Sequence, residues 1–241
     1  WLHLYSEAEI EAEIERAVQH IESVTGQRPV GFRGPGYSFS PSVLSVLNRR
    51  GYQYDASTFP TYLGPLARAY YFMTSDLSDE EKEQRKALFG GFKEGLQPLK
   101  PYRWSMEATA NRTLTEIPVT TMPVFKVPIH FSYVLYLSVF SPALAVLYFR
   151  TALFMCKLTG TQPSMLLHPL DFLGKEDVPE LAFFPGMSLS SEQKLKTLGQ
   201  VIDILKRQFN VLPMGEHAKH LANQSLPTFE PENRTLIREA A

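Results

Sequence analysis

Three polar residues each follow a short apolar run: Arg33 in Gly31-Phe32-Arg33-Gly34-Pro35-Gly36, Asp55 in Tyr54-Asp55-Ala56-Ser57, and His168 in Leu166-Leu167-His168-Pro169. An imidazole titrating near neutrality suits proton donation to a leaving amine. A planar guanidinium suits a bidentate carboxylate contact, and a glycine-rich turn offers backbone N–H groups to a developing oxyanion. All three polar residues fall just after predicted strands, a placement that lets separated polar residues share one rim as an active site.

The elements that would position them alternate. Ser6 and Glu9 form a capping box, and Ile10, Ile14, Val18 and Ile21 recur at helical spacing until Gly26. Val30 and Phe32 predict a short strand that delivers Arg33 into its loop. Ser40-Pro41 starts a second helix with Val43, Leu44 and Leu47 on its buried stripe and Gly51 as its stop. Tyr52 to Ala56 is the next strand, with Asp55 at its end. Residues 63–104 read as an insertion with an aromatic cluster (Tyr70, Tyr71, Phe72), a charged helix from Asp79 to Ala87, and Gly90-Gly91. A strand is expected over 114–119, carrying Glu116. Helical sequence follows over 133–158, a short buried strand over 165–167, and a last amphipathic helix over 193–209. Such alternation implies an α/β fold with parallel strands and outer helices, either a barrel or an open sheet. In both, catalytic groups gather at the C-terminal ends of strands.

The 241 residues suit one large domain, read here as 1–221 with a polar tail over 222–241. A net charge of −1 gives no basic footprint for nucleic acid. Cys156 is the only cysteine, which excludes an internal disulfide and a thiolate zinc cluster. Residues 131–149 carry no charge, close to the roughly 20 residues that span a bilayer. Pro142 in the middle and Arg150 just beyond favour a buried core helix. A face touching membrane or a lipid substrate is the alternative. The chain opens on Trp1-Leu2-His3, as though cut from a longer catalytic domain. The compartment stays open, an extracytoplasmic or membrane-associated place being favoured over the cytoplasm.

These motifs resemble the polysaccharide deacetylase family, the NodB-homology or carbohydrate esterase 4 group, over nearly the whole chain. The resemblance implies a distorted (β/α) barrel of the NodB type, N-terminally truncated, that hydrolyses N-acetyl groups on sugars with a divalent metal, often zinc. It makes His3 a metal ligand, Arg33 the group that orients a catalytic Asp, and Gly36 an oxyanion donor. It makes His168 the general acid and Asp55 the carboxylate that orients it, with Pro35, Tyr37 and Leu167 beside the substrate. No Asp-Asp pair occurs, so the metal and base aspartates of the family have no counterpart here. The implied partner is an N-acetylated glycan of a cell wall, an exopolysaccharide or a lipid-linked sugar. The rivals are a non-catalytic glycan-binding protein on the same fold and a cyclic-amide hydrolase, the latter because Thr58 and Phe59 replace an Asp-Trp pair.

Several residues have two readings. Tyr62, Tyr70, Tyr71 and Trp104 serve either sugar stacking or a core. Asp171 either supports His168 or caps a helix, and His217 and His220 read as surface residues. The sequons at Asn111, Asn223 and Asn233 matter only in a secreted eukaryotic protein, whereas the resemblance looks bacterial.

Overall fold

The computed structural model describes residues 2–64, 92–106, 113–184, 186–231 and 236–237. Most of the expected insertion, with Tyr70, Tyr71 and its charged helix, lies outside the described residues, as do Asn111, Asn233 and the His3 side chain. The chain forms two compact units, Trp1–Pro118 with Leu212–Ala241, and Val119–Val211.

In the first unit, α1 (Glu7–Thr25) starts at the expected capping box. The Glu9 carboxylate takes the Ser6 N–H at 2.8 Å, and Gly26 ends the helix in the left-handed region at φ 68°. Helix α2 (Pro41–Arg49) starts at Ser40, whose hydroxyl accepts from the Val43 N–H, with Pro41 at the first position. Ile10, Ile14 and Val18 of α1 pack against Val43, Leu44, Val46 and Leu47 of α2, all under 4% exposed. Each such burial contributes about 1.5–3 kcal/mol. Ile21, expected on the same stripe, is 43% exposed because it lies beyond the reach of α2. Arg49 and Arg50 add ion pairs to Glu7, Glu11 and Glu15 across the two helices.

Six short strands make one sheet in this unit: β1 (Gly31–Phe32), β2 (Tyr54–Asp55), β3 (Tyr102–Ser105), β4 (Thr113–Glu116), β5 (Thr228–Phe229) and β6 (Leu236–Ile237). Their spatial order is β1-β2-β4-β3-β5-β6. The β1–β2, β2–β4 and β3–β5 pairs are parallel, while β3–β4 and β5–β6 are antiparallel. Two findings depart from the sequence reading. Residues 102–105, assigned to the insertion, are a sheet strand, and Trp104 is 1% exposed in the core rather than a stacking surface for sugar. The region read as a polar tail contributes β5 and β6. Helix α6 (Met214–Ala222) packs Ala218 and Leu221 on Ile117 in the same unit, with His217 half-buried and His220 exposed on it.

In the second unit, Pro142 divides the charge-free run into α3 (Phe131–Phe140) and α4 (Pro142–Thr159). Ser141 joins them in an extended conformation at φ −160°, so its hydroxyl caps α4 through the Leu144 N–H, and no continuous helix runs over 131–149. Helix α5 (Ser191–Lys206) covers one side of this pair. Phe131, Val134 and Leu135 of α3 and Ala145, Phe149 and Leu153 of α4 meet Leu198, Val201, Ile204 and Leu205. The expected strand over 165–167 forms no ladder. Leu166 is held instead by one bond, its carbonyl taking the Phe131 N–H at 3.2 Å.

Candidate functional site

The two ends of the parallel pair β1–β2 carry the first cluster. Register places Phe32 beside Asp55 and Asp55 beside Glu116. Arg33 leaves β1 with its Nε donating to the Ala56 carbonyl at 2.9 Å, which fixes the start of the loop. The Gly34 N–H donates to Ser57 Oγ at 2.8 Å, and that hydroxyl donates to Asp55 Oδ1 at 2.6 Å. A Cβ on Gly34 would stand 1.8 Å from the Ser38 carbonyl oxygen, so only glycine permits this closure. Gly36 and Tyr37 follow at φ 60° and 59°. Pro35 and Gly36 are exposed, and among the described residues no acceptor takes the Gly36 N–H. Tyr37 is half-buried and stacks on Phe59 with ring centroids 4.8 Å apart.

Glu116 is the functional candidate that sequence reasoning passed over. It is fully buried, and its Oε1 accepts from Thr58 N–H (3.0 Å) and Thr58 Oγ1 (2.6 Å) while Oε2 accepts from Trp104 Nε1 (3.0 Å). Three donors thus converge on its two oxygens. Asp55 is equally buried, and its Oδ2 meets no N–H or O–H donor from the described groups. Burial first, and then the Glu116 charge, push the Asp55 carboxyl well above the ordinary carboxylate range. Beside Glu116, the protonated form of Asp55 is thereby favoured. Thr58, noted at first only for what it replaced, anchors this pair.

Arg33 makes no carboxylate ion pair among the described residues. Burial lowers its pKa, opposed by Tyr37, Asp55, Tyr54 and Glu116. A planar guanidinium of this kind suits a carboxylate or another anion.

The second unit holds His168, with its own partners. Its backbone N–H donates to Asp171 Oδ2 at 2.7 Å, and Ser132 Oγ donates to Asp171 Oδ1 at 2.7 Å while lying 3.0 Å from His168 Nδ1. A hydroxyl has one proton, and the carboxylate takes it. Ser132 therefore accepts from Nδ1–H, and the tautomer leaves Nε2 without a proton in the neutral ring and as the outward acid in the cation. Asp171 Oδ2 stands 3.7 Å from Nδ1 beneath the ring. Burial raises the Asp171 pKa, but the hydrogen bonds from His168 and Ser132 outweigh it and hold the carboxyl below its ordinary value. Buried His130 lies edge-on to His168 with centroids 5.8 Å apart. Leu167 is 41% exposed beside it.

The structure thus brings Arg33, Gly36 and Asp55 together in the first unit and places His168 in the second. Within the second unit the carboxylate bonded to His168 is Asp171. Asp55 is committed to Ser57 and Glu116. Among the described residues no three His, Cys, Asp or Glu side chains gather to hold a metal. The side chain of His3, the expected ligand, lies outside those residues.

Comparison with known proteins gives three likenesses. Residues 1–54 match the polysaccharide deacetylase family, a range that includes Arg33 and Gly36 and stops one residue before Asp55. A peptidoglycan deacetylase-like protein of Gibberella zeae is 32% identical over 100 residues, covering 39% of this chain and 28% of that protein. A crystal structure from Mycobacterium smegmatis, assigned to a polysaccharide deacetylase, superposes with a TM-score of 0.55 at 17% identity, over 100% of this chain and 64% of that one. The chain therefore spans under two thirds of either protein's length, and the structural likeness is one of fold, the distorted α/β barrel of the NodB type. By these matches the chain is similar to the polysaccharide deacetylase family, in sequence over residues 1–54 and in fold over its whole length.

Proposed function

We propose that this chain is part of a hydrolase that removes acetyl groups from an N-acetylated glycan, with His168 as the acid that protonates the leaving amine. One observation carries the reading. The His168 ring is held at Nδ1 by Ser132 over the Asp171 carboxylate, with Nε2 facing no partner among the described residues. An amine leaves an amide-derived intermediate only when protonated, and a ring oriented in this way presents its second nitrogen for that transfer. Taken by itself, the first unit is proposed to offer the exposed Gly36 N–H as a backbone donor to an oxyanion and Arg33 as a partner for a carboxylate. The exposed Pro35, the half-buried Tyr37 and the exposed Leu167 are the proposed sugar contacts.

The test is acetate release from N-acetylglucosamine oligomers, with hydantoin as the competing cyclic-amide substrate. Acetate from the oligomers supports the reading, whereas hydantoin opening without acetate release overturns it. The proposal extends to a divalent cation, zinc by preference, with His3 as one ligand. Equilibrium dialysis is expected to show weak zinc uptake that His3→Ala abolishes, because one imidazole is a poor site. Uptake unchanged by that substitution would remove His3 from the proposal.

A further inference from the structure

Helix α4 has two faces, and α5 and the 121–128 loop cover only one of them. Ala145, Phe149, Ala152, Leu153 and Cys156 are buried, while Leu144 (49% exposed), Leu147 (61%), Phe154 (58%) and Leu158 (70%) point outward. The outward residues follow one another at helical spacing, a stripe about 21 Å long. Phe140 at the end of α3 is 70% exposed and extends the stripe around the Ser141 corner. Only 28% of α4 is buried although its mean hydropathy reaches 1.2, so the buried core helix expected from sequence is open on one side.

The charged side chains of the segment that carries this face, all Lys and Arg, have one sign. Between Glu116 and Asp171 there is no acidic residue, and the charged side chains are Lys126, Arg150 and Lys157. Arg150 and Lys157 stand two turns apart on the exposed side of α4, along one flank of the stripe. The loop closed by the Thr121–Pro128 bridge packs against Ala152 and Cys156 and projects Val124 (71% exposed) and Phe125 (62%) from its tip, beside Lys126. Val124 and Lys126 sit at φ 70° and 54°, a conformation that a β-branched residue adopts only under constraint.

From this placement we infer that the second unit docks on an anionic lipid bilayer. Helix α4 lies in the interface plane, its apolar stripe among the acyl chains and Arg150 and Lys157 against lipid phosphates. A second copy of the chain offers no such charge match, since it would bring the same basic flank against itself. This inference stands apart from the proposed hydrolase activity and is tested without it.

The experiment is co-sedimentation of the whole chain with vesicles of phosphatidylcholine alone or mixed roughly 3:1 with phosphatidylglycerol. The chain is expected to pellet with the mixed vesicles, less with the neutral ones, and less as salt rises. Leu147→Ser with Phe154→Ser is expected to weaken binding roughly tenfold or more. Arg150→Gln with Lys157→Gln removes the preference for the anionic vesicles. Leu195→Ser, at a comparably exposed leucine on α5, leaves binding unchanged and controls for folding. No pelleting, or pelleting that the stripe variants do not alter, overturns the inference. So does a concentration-dependent dimer in sedimentation velocity that those same variants dissolve.

Discussion

Replacing His168 with alanine is expected to lower the rate of acetate release by about 10²- to 10⁴-fold, the usual contribution of a positioned general acid. The loss should fall on kcat more than on KM, because protonation of the departing amine belongs to the transition state and not to sugar binding. Ser132→Ala separates the acid from its support. It leaves the imidazole in place but frees Nδ1, so the ring can take the other tautomer, and a smaller loss with a shifted pH profile is expected. Asp171→Asn keeps an acceptor for the His168 backbone N–H while removing the charge beneath the ring. Rates measured across pH for the three variants form the check. An unchanged rate for His168→Ala would dismiss the histidine from the chemistry.

The second large effect concerns stability. Glu116→Ala is expected to cost about 3 kcal/mol or more, since it leaves the Trp104 and Thr58 donors buried without an acceptor and opens a cavity beside them. Its neighbour gives the pH dependence. Because the folded-state pKa of Asp55 is raised, the protonated form is the one that suits the fold. Its contribution is complete below the ordinary carboxylate pKa and is lost as pH rises through the raised value. Glu9 and Asp171 run the other way. Their folded pKa values are lowered, so their contributions are lost only as pH falls. The two directions separate the groups. Asp55→Asn, whose amide can donate to Glu116 at every pH, is expected to flatten the alkaline-side decline and leave the acid-side one intact. Urea unfolding at stepped pH reads this directly, and a decline that survives in the variant would refute the assignment of the proton to Asp55.

Local rules carried much of the fold. The Ser6–Glu9 box, Gly26, and the Ser40-Pro41 start are short-range signals whose energies are settled within a few residues, and the helices begin and end where they indicate. Arg33, Gly34 and Gly36 were legible for the same reason: a turn's backbone demands are written in its own residues. The partners were not. Glu116 sits in an unremarkable run, and nothing within ten residues of it marks a carboxyl pair. Only the parallel register of β2 and β4 sets it against Asp55. Trp104 reads equally as a sugar-stacking or a core residue in sequence, because its strand pairing and its bond to Glu116 are tertiary. Ser132 is one polar residue in an apolar run. It becomes meaningful only when the chain returns 36 residues later with His168. Pro142 was weighed as an objection to a membrane span, and the structure uses it as the first residue of a new helix.

The pairing of Asp55 with Glu116 also bears on how the sheet finds its alignment. Strands β1 and β2 are two residues long and β4 is four, too short for an alternating apolar pattern to select one alignment over its neighbours. Sliding β4 by one residue against β2 would turn Glu116 to the opposite face, strand Trp104 and Thr58 without their acceptor, and set Thr115 against Asp55. The buried carboxyls therefore act as a key that fits one alignment, so that misaligned sheets are rejected while the chain is still folding.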